Sequence, residues 1–392
     1  MNYSHLKEGA SCNLTLNVIL YMLIDKKLKY SYNDVCVIPA YVTTIEHRSE
    51  CNPFLDNGKL PIFTAPMSTV VGLDNFDLFE QNYINAILPR SVELGKRIEY
   101  AKDGKWTAFS LNEFIDLFTD NDKSKEFINN NVKHILIDVA NGHMMKIYQN
   151  TQKAKNIFGD NIEIMVGNIA NPLSYKLSCE YGVSYVRVSI GSGQGCITSS
   201  NTAIHYPNAS RISETAQIKN ENSQTQNIPI DKLPKIIADG GIRNYSDVIK
   251  ALALGADYVM IGGLFSTLIE SSGDVFYFDE NNKKTFIHDK YSIKEQDGAF
   301  YNNTEIINHD LYKEFYGMAS KKGQIDINGK KTKTSEGVIK TLKVLTNIDK
   351  WVNNMISYLQ SAMSYTNIRN IKDMNNAEVV LISNNTYNSV NK

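Results

Sequence analysis

The sequence has no charge excess of either sign: its 392 residues carry 41 Lys and Arg against 42 Asp and Glu, a net charge of −1. Gripping a phosphate backbone draws on a basic surplus, so the composition argues against a dedicated nucleic-acid binder. Cysteine is scarce and unpatterned. Its five copies (Cys12, Cys36, Cys51, Cys179 and Cys196) include no Cys-x-x-Cys pair. Neither a disulfide framework nor a zinc site is indicated, and a reducing cytoplasm is the expected compartment. No apolar run reaches the roughly 20 residues a membrane-spanning helix needs. The longest near the N-terminus, residues 14–24, stops at Asp25, Lys26 and Lys27, and no small-residue cleavage pattern follows it. It reads as a short helix packed on the main domain, with no membrane partner. Only 9 prolines, with 42% hydrophobic and 10% aromatic residues, exclude a disordered or collagen-like chain.

What the sequence does have is a recurrence of short apolar runs, each ending in Gly, Asn, Asp or Pro: LPIFTAP, INAILPR, HILIDVANG, IEIMVGN, SYVRVSIGSG, KIIADGG and DYVMIGG. Most are followed by a segment of helical periodicity, as at 144–158, 172–181 and 245–254, the last stopped by Gly255. The runs are apolar on both strand faces, the pattern of parallel strands covered on each side. Seven such strands, with an eighth expected near 332–337, predict an α/β fold: a (β/α)8 TIM barrel with loop insertions. Residues 1–29 read as an N-terminal extension, 30–372 as the barrel, and 373–392 as a flexible C-terminal tail. Insertions at about 199–233 and 273–309 are expected to form lids or flaps.

A barrel places its chemistry at the carboxyl ends of its strands, where the glycine-rich and polar signals of this sequence collect. The run VSIGSGQGCITSS (188–200) leaves a buried strand and passes Gly191, Gly193 and Gly195 to reach Cys196 and Thr198. A cysteine in such a loop is a candidate nucleophile with a lowered pKa, and equally a buried structural cysteine beside a tight turn. The glycines free backbone carbonyls to turn inward, as a monovalent cation would need. It is not a dinucleotide fingerprint, because Cys196 takes the place of the final glycine. Two further glycine turns, Asp239-Gly240-Gly241 and Gly262-Gly263, suit a phosphorylated ligand.

On these residues the chain resembles the IMP dehydrogenase and GMP reductase family. The matching stretches are YNDVCVIPA (32–40), PIFTAPMSTVVG (61–72), IDVANGH (137–143), VGNIA (166–170), GSGQGCIT (191–198), IADGGIRNYSDVIKALALGADYVMIGG (237–263), FYGMAS (315–320) and SEG (335–337). The resemblance implies that Cys196 forms a thioimidate with C2 of a purine mononucleotide, with Thr198 and Glu336 as a proton-transfer pair. It implies that Met67 packs on the base, and that Asp239, Gly240, Gly241, Gly262, Gly263, Gly317, Met318, Ser335 and Gly337 hold the nucleotide. The nicotinamide cofactor, NADPH or NAD, would meet His47, Arg48, Asp138, Val139, Ala140, Ile190 and Gly191. A potassium ion would take carbonyls of Gly191, Gly193 and Cys196 with Ser199, and the assembly would be a homotetramer.

The two activities of the family differ in the fate of the thioimidate. The dehydrogenases carry a flap with adjacent Arg and Tyr, whereas KKGQIDINGKKTKT (321–334) is short and has neither residue. The space between Arg90 and His134 leaves no room for a CBS domain. The chain therefore reads as GMP reductase-like, converting GMP to IMP and ammonia with NADPH. An IMP dehydrogenase with an altered flap and a catalytically silent purine sensor are the alternatives. Arg90 stands where the family has a lysine-bearing motif, Ser68 follows Met67 in place of the usual Asp, and Gln194-Gly195 replaces the usual pair before Cys196.

Overall fold

A computed structural model describes residues 27–129, 132–296, 298–302, 305–330, 334–383 and 386–388. The apolar run 14–24 lies outside them. Strand β1 (Val35–Val37) precedes the parallel sheet, which contains β2 (Ile62–Thr64), β3 (Thr107–Phe109), β4 (His134–Asp138), β5 (Glu163–Ile169), β6 (Tyr185–Val188), β7 (Lys235–Asp239) and β8 (Tyr258–Ile261). Its order is β2-β8-β7-β6-β5-β4-β3.

The two edges of that sheet are joined by the INAILPR run. Asn85 bridges Phe63 of β2 and Leu88 bridges Thr107 of β3, both in parallel. Side chains complete this irregular member: Thr64 accepts from the Ile87 N–H at 2.9 Å, and Asn85 donates to the Ile62 carbonyl at 3.0 Å. Eight parallel segments thus form a ring, without an edge that would expose unpaired backbone. The eighth member expected near 332–337 is not there. Residues 332–333 are not described, residues 334–336 carry no strand, and Gly337 makes only isolated bridges, to Cys196 and Ser320. The missing place is taken by Thr107–Phe109, three residues that are all buried.

The ring is filled at one end by aromatic side chains from the starts of the strands. Phe63 meets Trp106 edge-on at 5.6 Å, Trp106 meets Tyr185 at 5.1 Å, and Tyr185 meets Tyr258 at 5.7 Å. Each such pair adds about 0.5–1.5 kcal/mol beyond burial. This plug leaves the carboxyl ends of the strands as the open face.

Three expectations about the additions need correction. Residues 199–233 are not a lid: their centre is the 19-residue helix Asn208–Gln226, packed beside β7 and burying Ala209, Ile212 and Ile218. The described residues between 273 and 309 are largely short strands. Strands β9 (Val275–Phe278), β10 (Lys284–Ile287), β11 (Ile293–Gln296), β12 (Ala299–Asn302) and β13 (Glu305–Ile306) lie there, followed by β14 (Tyr312–Tyr316) and β15 (Ile339–Lys343). The sheet β10-β9-β14-β15 packs over Ile269, Leu311 and Val344, and the buried Lys313 amine of β14 binds the Leu268 and Ile269 carbonyls.

The tail is not loose through its first part. After the helix Ile348–Tyr365 the chain buries Met374, then pairs β16 (Val379–Leu381) antiparallel with β1. Among the described residues no helix is long and apolar enough to cross a membrane.

Candidate active site

A cavity of about 1820 Å³ opens over the carboxyl ends of the strands. Its size exceeds the roughly 300–1,000 Å³ of ordinary small-molecule sites. Met67, Asp138, Val139, Ala140, Ile190, Gly191, Gly193, Cys196, Thr198, Asp239, Gly240, Gly241, Gly262, Gly263, Gly317, Met318, Glu336 and Gly337 all line it. Ser335 and Ser199 stand behind that wall: Ser335 Oγ donates to the Gly337 carbonyl at 2.7 Å and Ser199 Oγ to the Gly191 carbonyl at 3.2 Å. His47 and Arg48 are not brought to the cavity within this chain. They lie in an exposed turn packed against the helix Ile348–Tyr365.

Cys196 is partly exposed at the centre of the glycine loop. Its thiol donates to Thr198 Oγ1 at 3.2 Å, and that hydroxyl donates to Glu336 Oε2 at 2.7 Å. The line runs from a nucleophile through a hydroxyl to a carboxylate, so the thiol proton has a two-step path away from sulfur. Sequence neighbours do not create it, since Glu336 lies 138 residues beyond Thr198. Backbone bonds do: the Ile197 N–H donates to the Glu336 carbonyl at 2.9 Å and the Val338 N–H to the Gly195 carbonyl at 3.0 Å. The antiparallel pair β14 and β15 sets this register, because Tyr316 pairs with Ile339, β14 leads into Gly317-Met318 and β15 follows Glu336-Gly337. Burial pushes the thiols of Cys51 and Cys179 up.

Beneath the loop lies a charged floor of strand residues. Buried Arg187 of β6 donates to Asp138 Oδ1 at 2.8 Å and to Asp239 Oδ2 at 2.9 Å. Asn168 donates to the same Asp239 oxygen at 2.7 Å, and Arg90 donates to the Asp138 carbonyl at 2.9 Å. Burial opposes charge on Arg187, but the Asp239 and Asp138 carboxylates hold its pKa above the usual value. Asp239 is therefore already engaged by protein donors. His143 is a fixed neutral spacer beside this floor: its Nε2 accepts from the Ala170 N–H at 3.0 Å, its Nδ1 lies 2.9 Å from Ser174 Oγ, and burial lowers its pKa.

Two of the three carbonyls expected to hold potassium each accept one hydrogen bond. Gly193 accepts from the Cys196 N–H at 3.0 Å, and Gly191 accepts from Ser199.

The segment 321–334 begins as the helix Lys321–Asn328, capped by Ser320, whose Oγ accepts from the Gly323 N–H. Its buried Gln324 lines the cavity beside Ile327 and Asn328. Gln324, Arg187, Asn168 and His143 are cavity residues that residue-by-residue reading did not select. Arg187 sits in SYVRVSIG as the one charge in a strand apolar on both faces, which is the signal that marks it.

Comparison with known proteins agrees with this arrangement. Residues 114–391 match the family model described as IMP dehydrogenase / GMP reductase domain. The chain belongs to the IMP dehydrogenase / GMP reductase family. It is an oxidoreductase of that family. A GMP reductase of Mycoplasma mycoides is 26% identical over 361 residues, covering 90% of this chain and 98% of that protein. A GMP reductase of Bacillus subtilis is 27% identical over 382 residues, covering 92% and 98%. An inosine-5'-monophosphate dehydrogenase of Methanocaldococcus jannaschii is 33% identical over 168 residues, covering 43% of this chain and 32% of that protein. The family's domain is a TIM barrel, in line with the parallel ring.

Proposed function

We propose that this chain is a GMP reductase, taking GMP and NADPH to IMP, NADP⁺ and ammonium with uptake of two protons. The observation that carries this reading is the line from Cys196 through Thr198 to Glu336 at 3.2 and 2.7 Å. Attack at C2 of the purine requires a thiolate, and loss of ammonia requires a proton returned to the leaving nitrogen. Thr198 passes the thiol proton to Glu336 as sulfur bonds to C2. The protonated Glu336 then delivers a proton toward the amine, and the C2–N bond breaks to leave the thioimidate on Cys196.

NADPH, when bound, supplies the hydride that replaces the lost nitrogen at C2. Asp138, Val139, Ala140, Ile190 and Gly191 would hold it, in a cavity of about 1820 Å³ that has room beside the nucleotide. Met67 would pack on the base, while Gly240, Gly241, Gly262 and Gly263 would offer backbone to the ribose phosphate. Support for reduction over hydrolysis comes from the 321–334 segment, which has neither Arg nor Tyr to activate a water. The full-length relatives named GMP reductase support it further.

The test is consumption of NADPH in the presence of GMP by purified protein, with the products resolved by chromatography. IMP and ammonia in equal amounts are expected. XMP and NADH formed from IMP and NAD would instead make it a dehydrogenase, and nucleotide binding without either turnover would make it a sensor.

A further inference from the structure

The helix Lys321–Asn328 forms one side of the cavity, and the chemistry above gives it no task. Gln324, Ile327 and Asn328 line the cavity from it. Beside them Asp326 Oδ2 accepts two hydrogen bonds, from the Tyr316 hydroxyl at 2.8 Å and from Ser68 Oγ at 3.1 Å. The two donors come from different parts of the molecule. Tyr316 closes β14, whereas Ser68 stands 258 positions before Asp326, in the loop after β2. Bonds to an ionised acceptor are roughly twice as strong as bonds between neutral groups. Ser68 is also the residue that departs from the usual Asp after Met67. A carboxylate there would face Asp326, and the hydroxyl donates to it instead.

These bonds join two parts of the cavity wall. Met67 precedes Ser68, Met318 follows Tyr316 by two residues, and both methionines line the cavity. Ser68 Oγ lies 3.8 Å from Met318 Sδ, so the two parts meet at this point. The helix is packed closely on the same turn: a Cβ on Gly323 would lie 2.6 Å from the Gly317 carbonyl oxygen and 2.7 Å from Met318 Cα. No side chain fits at Gly323 unless the helix moves away. Lys322 adds a tether to β14, pairing with Glu314 at 2.6 Å and lying 4.9 Å from the centre of the Tyr316 ring. Just before the helix, the Ala319 carbonyl accepts from the Glu336 N–H at 3.1 Å. Displacing the helix therefore loosens the wall at Met67 and Met318 and reaches the backbone of Glu336.

We propose that Asp326 is a positioning residue that clamps the helix Lys321–Asn328 to the loop after β2, so that Met67 and Met318 present one wall to the purine. The inference rests on the nucleotide reading of the cavity and adds to it the group that sets the wall. Asp326 touches no reacting atom. It acts through Ser68 and Tyr316, and through them it governs affinity for the base.

Two measurements on the whole protein test it: the rate of tryptic cleavage after Lys321, Lys322 or Lys330, which follows local opening of the helix, and GMP affinity by calorimetry. Asp326→Ala is expected to speed cleavage and to weaken GMP binding by about 10-fold each, with Tm near native. Ser68→Asp sets two carboxylates against each other and is expected to act in the same direction. Adding Asp326→Asn to Ser68→Asp removes the repulsion and supplies a donor, and should return both values to within about 3-fold of native. Loss of packing alone would not be rescued by that second substitution. Unchanged cleavage in Asp326→Ala, faster cleavage with unchanged GMP affinity, or no recovery in the double variant would overturn the proposal. If the native protein binds no GMP, the nucleotide reading fails and the purine wall with it, while the cleavage rates still decide the clamp.

Discussion

The reacting trio and the charged floor below it are built in opposite ways. Cys196 and Glu336 stand on loops and Thr198 opens the short helix Thr198–Thr202, all three partly exposed and joined by two hydrogen bonds, one of them across 138 residues of chain. Arg187, Asp138, Asp239 and Asn168 stand at the carboxyl ends of adjacent strands, their positions fixed by the parallel register of β4, β5, β6 and β7. Groups that must change protonation are held lightly and near solvent, whereas groups that hold charge constant are buried and mutually paired. Loss of a trio member should cost chemistry, and loss of a floor member should cost the structure of the site.

The sharpest break in that contrast is Cys196→Ala. Turnover of GMP is expected to fall below detection, at least about 10⁴-fold, with nucleotide affinity and Tm near native. A matching loss of affinity would place Cys196 in the binding frame instead. Next is Arg187→Met, which leaves Asp138 and Asp239 facing each other without their cation. A loss of about 3–5 kcal/mol in unfolding free energy is expected from denaturant titration. A change under about 1 kcal/mol would show that the floor is not a structural unit.

Thr198→Val and Glu336→Gln should each lower kcat by roughly 10²–10³-fold with little change in KM. The double variant should lose little more than either alone if the two act as one relay, and single-turnover kinetics would show additive losses if they do not.

The smallest effect concerns Glu270, which accepts from the Ile348 N–H at 3.0 Å where the outer sheet meets the barrel. Burial raises its pKa to about 7. A carboxyl whose folded pKa is raised stabilises fully below its unfolded value near 4.5, and that stability is lost as pH rises through about 7. Glu270→Gln keeps the acceptor without the charge, so its Tm advantage over the native protein should grow from pH 5 to pH 8, equivalent to about 1–2 kcal/mol. A constant difference across that range would contradict the shift.

The sequence made the strand runs and motif order legible because both are local. The runs at β2 and β4–β8 are apolar on both faces, and the glycine loop, DGG and SEG segments carry their chemistry in adjacent residues. What escaped is what tertiary structure decides. Thr107–Phe109 is three residues long, too short for a period, and is a strand because Leu88 and Ile135 lie beside it. The helix Asn208–Gln226 is so polar that it reads as loop, and nothing in SRISE marks Arg211 as a buried charge. The 373–392 tail reads as loose from its Asn and Ser content, yet Val379–Leu381 finds a partner in β1 from the other end of the described chain. The 273–309 segment reads as a flap, and its described residues supply strands β9 to β13, with β9 pairing β14.

The most direct test of the central claim follows nicotinamide absorbance with native protein and Cys196→Ala, supplying GMP with NADPH in one series and IMP with NAD in the other. The account predicts NADPH oxidation that requires both GMP and Cys196, and no NADH from IMP. NADH formation from IMP, or NADPH oxidation that survives the loss of Cys196, would contradict it.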